Sequence, residues 1–153
     1  MALNAQIIVS ILAHETSTGD LSRTLRATPA SYSAVLSDGT AAYQAQVVWS
    51  DARTLAGSSE TLNLATLADT RDGAAVSVAI TAVKAVYIRN SHASASLTFA
   101  GSPLPAGGLT VAAGGGYAQI DPTAAGMTAG TITVTGSAGA TYDIVLIGEG
   151  SVT

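Results

Sequence analysis

Short runs in which small polar and apolar residues alternate dominate this chain, and that pattern predicts β-strands. Ala30-Ser-Tyr-Ser-Ala-Val-Leu36 alternates and then meets a turn signal, Ser37-Asp-Gly39. Further strands are expected over Ala45–Trp49, Thr61–Ala65 and Ala75–Ile80. The strongest is Val83–Arg89, with Val83, Ala85, Tyr87 and Arg89 on one face and Lys84, Val86 and Ile88 on the other. Ser96–Phe99, Leu109–Val111, Tyr117–Ile120, Gly130–Thr135 and Thr141–Ile147 complete the series. About ten short strands separated by turn residues, with no amphipathic helix after residue 28, give the pattern of a sandwich, barrel or jelly roll.

The first 28 residues read differently. Gln6 to Ala13 is β-branched and apolar, an edge strand or a short helix docked elsewhere. His14 to Ala27 concentrates charge in Glu15, Asp20, Arg23 and Arg26, and reads as an arm or extended loop reaching a neighbouring subunit. Five apolar side chains so close to a terminus, left in water, would form a costly patch, since burying each is worth about 1.5–3 kcal/mol. Ile7, Ile8, Val9, Ile11 and Leu12, followed by Arg23 and Arg26, are therefore the candidate assembly contacts. Long loops are expected over Asp51–Glu60 and Gly101–Gly108, and a tight turn at Gly114–Gly116. No fixed-period repeat suggests a solenoid or propeller.

Composition narrows the function. Only 10% of the 153 residues are charged, with six cations against ten carboxylates and a net charge of −4. That is too few cations to neutralise many phosphates, so direct nucleic-acid binding is not expected. The longest apolar run, Ile7–Ala13, is far short of the ~20 residues that span a bilayer, and it lacks the features of a secretory signal, so neither a membrane role nor export is expected. With no cysteine there is no disulfide, thiolate or Cys-ligated zinc chemistry.

The reactive inventory is equally sparse. His14 and His92 are far apart and form none of the spacings of a local zinc motif. The cluster Asp69, Arg71 and Asp72 lacks the alternating oxygen ligands of a calcium loop and reads as a turn before the strand at Ala75. Ala113–Gly116 is not followed by the Lys-Ser/Thr of a phosphate loop, and no Gly-x-Ser-x-Gly elbow is present. Neither an enzyme nor a cofactor or metal site is expected. Tyr32, Tyr43, Trp49, Tyr87, Tyr117 and Tyr142 are spread one per strand, which suits core positions with polar tips better than a sugar platform. Asp143, inside the last strand, either faces solvent by alternation or meets an Arg.

Several stretches together resemble a known group. The segment from Ser37-Asp-Gly-Thr40 through Ala45-Gln46, Trp49 and Arg53-Thr-Leu55 leads to Lys84 and Tyr87-Ile-Arg-Asn90, then to the Gly-rich turn at Gly114–Gly116 and the ending Thr141-Tyr-Asp-Ile-Val-Leu-Ile-Gly148. This layout, over about residues 30 to 150, resembles small β-rich structural proteins of tailed-bacteriophage head modules. The resemblance implies a non-enzymatic protein that decorates and cements the major capsid lattice. Its implied partner is the major capsid protein, and its implied place the virion exterior after synthesis in the bacterial host cytoplasm. A homo-oligomer, dimer or trimer, is expected. The alternatives are a phage neck, head-fibre or tail component, or a cell-surface or carbohydrate-binding β-module. The expected fold is all-β: an antiparallel sandwich of the jelly-roll type over residues 29–153, with residues 1–28 as an N-terminal arm or edge strand.

Overall fold

The computed structural model describes residues 2–11, 13–17, 23–26 and 30–153. Among the described residues the fold is all-β, with fifteen strands and no helix. The first five are β1 (Asn4–Ile11), β2 (His14–Ser17), β3 (Arg23–Arg26), β4 (Ala30–Asp38) and β5 (Gln44–Ala45). Next come β6 (Val47–Thr54), β7 (Ser59–Asn63), β8 (Leu67–Arg71), β9 (Ala74–Asn90) and β10 (Leu97–Gly101). The last are β11 (Leu109–Val111), β12 (Gly116–Ile120), β13 (Met127–Thr128), β14 (Thr131–Thr135) and β15 (Thr141–Val152).

Two antiparallel sheets form the body. One runs β12-β9-β15-β6, with β8 and β13 also paired to β9; the other runs β11-β10-β14-β7. The pairs nest in sequence: β6 with β15 encloses β7 with β14, which encloses β9 with β12, which encloses β10 with β11. Alternation turns Val47, Trp49, Val86, Ile88, Tyr142, Ile144 and Leu146 of the first sheet inward. They meet Leu62, Leu97, Phe99, Val111, Ile132 and Val134 of the second in one core, as in a β-sandwich. Phe99 and Tyr142 stack edge to face across it, ring centres 5.4 Å apart.

Three differences from the sequence pattern have physical causes. The expected Asp51–Glu60 loop is mostly strand: β6 continues to Thr54 and β7 begins at Ser59. Its polarity comes from an ionic cluster of Asp51, Arg53 and Glu60 at the sandwich margin. The cluster around Asp69 belongs to a further strand, β8, and the turn narrows to Asp72-Gly73. Both turn residues have positive φ, 52° and 81°, as a two-residue type I′ hairpin requires. The strands expected over Ala75–Ile80 and Val83–Arg89 are one 17-residue strand. Its irregularity is absorbed by two bulges, where Lys84 and Thr81 are extra residues of β9 opposite Ile147/Gly148 and Glu149/Gly150 of β15. A side chain at Gly148 or Gly150 would run into the carbonyls of Ala82 or Ala79, so the bulges need glycine.

The N-terminal strands form a separate two-stranded ribbon. β1 pairs with β4 from Asn4↔Ser37 to Ile11↔Ala30, and β2 with β3 from His14↔Arg26 to Ser17↔Arg23. The strand anticipated over Ala30–Leu36 therefore exists, but its partner is β1 and not a strand of the sandwich. The ribbon is anchored at its base. Asp38 and Ser37 pair with β5 in parallel, Tyr43 N–H donates to Pro122 O at 2.7 Å, and Gln46 N–H donates to Gly148 O at 2.9 Å. Ala34 and Leu36 are buried there.

Candidate assembly surface

Several titratable groups of the body are held in internal bonds. Glu60 is the inter-sheet link: one carboxylate oxygen accepts from the Tyr142 hydroxyl at 2.6 Å, the other from Arg53 Nη2 at 2.8 Å. Burial pushes the Glu60 carboxyl up, but the hydrogen bonds from Arg53 and Tyr142 outweigh it, so the group sits below the usual carboxylate range. Burial, reinforced by Glu60, pushes the Tyr142 phenol up. Asp51, 2.8 Å from Arg53 Nη1, completes the cluster.

Lys84, at the β9 bulge, is fully buried. Its ammonium donates to Thr123 O at 2.6 Å and Ala124 O at 2.7 Å and forms an ion pair with Glu149 Oε1 at 2.8 Å, an oxygen that accepts no hydrogen bond among the described residues. The alternation expected along this strand breaks here: Val83, placed with Tyr87 and Arg89, joins the core with Val86 and Ile88, because Lys84 is an extra residue in β9. Asn90, equally buried, donates to Ala95 O and Val111 O and accepts from His92 N–H. His92 Nδ1 in turn accepts from the N–H groups of Ser94 and Ala95, so this histidine orders a turn. Arg71 binds Asp69 at 3.0 Å and donates to Val48 O at 2.7 Å, which covers a carbonyl of strand β6. Among the described residues no group of three His, Cys, Asp or Glu side chains is placed to hold a metal. Asp143 sits on the outer face of β15 in register with Arg89, and no ion pair joins them. Three tyrosines depart from the core positions expected: Tyr32, Tyr43 and Tyr87 are exposed, while Tyr142 is fully buried and Tyr117 half-buried.

The apolar surface gathers elsewhere. Beside β1, over the outer face of the six-stranded sheet, runs a trough of about 480 Å³. One wall is the continuous run Gln6, Ile7, Ile8, Val9 and Ser10; the floor includes Ala85, Tyr87, Ala118, Ile120, Val145 and Ile147. A wall of five consecutive residues is a strand presenting its edge, because a strand presenting a face would contribute alternate residues. No charged side chain lines the trough. Around it Ile8 is 62% exposed and Ile11 67%, with Val9, Tyr32 and Val35 also open.

Of the candidate contacts, the structure brings Ile7, Ile8 and Val9 together at the trough wall and places Ile11 at the exposed end of β1. Arg23 and Arg26 are the two ends of β3. Leu12 lies outside the described residues. Sequence reasoning missed the floor. Its members alternate with core residues on β9, β12 and β15, and Val145 and Ile147 alternate with Ile144 and Leu146 in a run that reads as wholly buried. An apolar outer position within such a run was the available signal. In comparisons with known proteins, no family model, curated protein or solved structure matches this chain.

Proposed function

We propose that this chain is a non-enzymatic structural protein of a tailed-phage virion that decorates the major capsid lattice and cements it from outside. The observation that carries the reading is the division of labour in the molecule. Polar side chains buried in the body, such as Lys84, Asn90 and Tyr142, are used in internal bonds, and the uncharged apolar surface is concentrated on one ribbon and the sheet face beside it. Such an arrangement suits long-lived contact with other subunits better than chemistry on a substrate. The nested pairs β6/β15, β7/β14, β9/β12 and β10/β11 support a jelly-roll reading of the sandwich. The residues that carry the resemblance to phage head proteins agree with this. Trp49, Ile88 and Tyr142 fill the core, and Lys84 and Asn90 tie strands to loops, so what is shared is the rigid body.

The test is co-sedimentation of the full chain with empty heads assembled from the major capsid protein of the same genome. Saturable binding and a raised melting temperature of the shells are expected. Absence of binding to heads, or recovery of the protein with tails only, would overturn the cement role in favour of a neck or tail component. Exposed Tyr32, Tyr43 and Tyr87 give a second reading, a glycan-binding module, which a glycan array tests directly.

A further inference from the structure

We infer that the trough beside β1 is a strand-addition site whose occupant is β1 of a second copy, the two β1 strands pairing antiparallel about a twofold axis. This deepens the homo-oligomer expected of a virion protein, yet it stands on the chain's own geometry and does not require shell binding.

The backbone carries the first part of the argument. β1 pairs with β4 along one edge, and among the described residues no strand occupies its other edge over Asn4–Ile11. Along eight residues, about 27 Å at ~3.4 Å per residue, every second N–H and C=O of β1 faces that free edge, and together they form a template for another strand. The usual protections of an edge are missing, because β1 holds no Pro, no charge and no bulge. The body treats its edge strand β6 differently, covering the Val48 carbonyl with the Arg71 guanidinium.

Chemistry selects the occupant. The trough is apolar and uncharged, so the incoming strand must be uncharged and alternate apolar side chains toward the floor. β1 itself meets that requirement, since no charged residue stands between Ala2 and Ala13. Lack of charge matters doubly at a twofold axis, where residues near the axis meet their own kind and like charges would repel. The pairing is reciprocal: each β1 enters the trough formed by the other β1 and its sheet. It also relieves the weakness of a two-stranded ribbon, which is marginal in water until further strands join it. β4 is the poorer edge, because its end is already paired with β5 and carries Asp38. A seam of this kind is isologous and closes at two copies, which favours a dimer over a trimer.

The experiment uses the full chain. Ile8 points outward and is 62% exposed, so Ile8→Lys and Ile8→Glu leave the ribbon's own packing intact. Circular dichroism and melting temperature verify folding. Light scattering across a concentration series should give a dimer for the wild type and a monomer for either variant alone. Mixing the two variants should restore the dimer, because Lys then faces Glu across the seam. The chain has no Cys, which permits a second readout through single Gln6→Cys, Ile8→Cys and Ser10→Cys variants. At least one should form a disulfide-linked dimer under mild oxidation. Val35→Cys, on the far strand of the ribbon, should not. A wild-type monomer at every concentration, a trimer mass, a dimer that survives Ile8→Lys, or cross-linking at Val35→Cys as strong as on β1 would each overturn the inference. Head binding measured in parallel separates the two claims. Heads that bind a monomeric wild type would leave the cement role standing and point to a capsid strand as the occupant. A β1-linked dimer that ignores heads would do the reverse.

Discussion

The sandwich and the ribbon are made of the same kinds of residue but reach stability by opposite routes. In the sandwich, each strand contributes one face to a core shared by two sheets, and Trp49, Phe99, Ile132 and Leu146 are almost wholly removed from water. In the ribbon, β1 pairs only with β4 among the described residues, and beyond the base where β4 meets β5 the β-branched side chains Ile8, Val9, Ile11 and Val35 stay exposed. The central strands of the sandwich are also paired on both sides, whereas β1 has a partner on one side only. The difference shows that a strand pattern alone does not stabilise a region, because the driving force scales with apolar area removed from water.

The contrast can be tested by substitution, beginning with the largest expected effect. Phe99→Ala should cost about 3–5 kcal/mol through lost burial and the cavity left behind, read as a fall in the denaturant midpoint. A loss below ~1 kcal/mol would mean that the two sheets do not share a tight core. Lys84→Ala should cost a comparable amount, about 3–5 kcal/mol, because it strands the Glu149 carboxylate and the Thr123 and Ala124 carbonyls. The double variant Lys84→Met with Glu149→Leu should recover much of that loss in the same measurement, since the stranded charge is gone.

Tyr142→Phe should cost about 1–2 kcal/mol, as it removes the hydroxyl that Glu60 accepts from. The same contact sets an acid limb. The Glu60 carboxyl is held below its unfolded value, so its stabilisation is fully present above that value and disappears as pH falls through the folded one. Stability should therefore decline below about pH 4.3, the ordinary Glu value, and Glu60→Gln should flatten that decline in a pH series of melting curves.

The smallest effects are expected on the ribbon. Removing residues 1–38 should leave a body that still unfolds cooperatively by circular dichroism, with a midpoint lowered by only a few degrees, while self-association is lost. Val35→Ala should change stability by no more than ~0.5 kcal/mol. An unfolded truncation would break the comparison outright, because the ribbon would then be part of the body's own stability. The cut belongs after Asp38: ending at residue 28 would leave β4 without its partner β1.

Much of the body was legible in the sequence. Period-two alternation located most strands from Ala45 to Ile147, β8 and β13 excepted, and Asp72-Gly73 and Gly114 marked turns where the backbone has positive φ. The faces of β9 were legible only in part, since Val83 joins Val86 and Ile88 in the core across the bulge at Lys84, and the burial of that charge was not legible at all. Its partners, Thr123, Ala124 and Glu149, are far away in sequence. Of the assembly surface, only the wall could be read. Ile7, Ile8 and Val9 stood out because an apolar cluster close to a terminus must be covered by something.

What the sequence determined by itself is the all-β class, the turns, the lack of a local reactive motif and the apolar character of β1, since each is a property of neighbouring residues. Which strands pair was decided only in the tertiary structure. β4 joins β1 instead of the sandwich, β9 runs as one strand through two bulges of its own against β15, and the outer positions Tyr87, Val145 and Ile147 come to lie beneath the free edge of β1. The reason is physical. Alternation fixes which way a side chain points, while pairing and the trough it creates depend on segments more than a hundred residues apart that meet only after the chain has closed on itself.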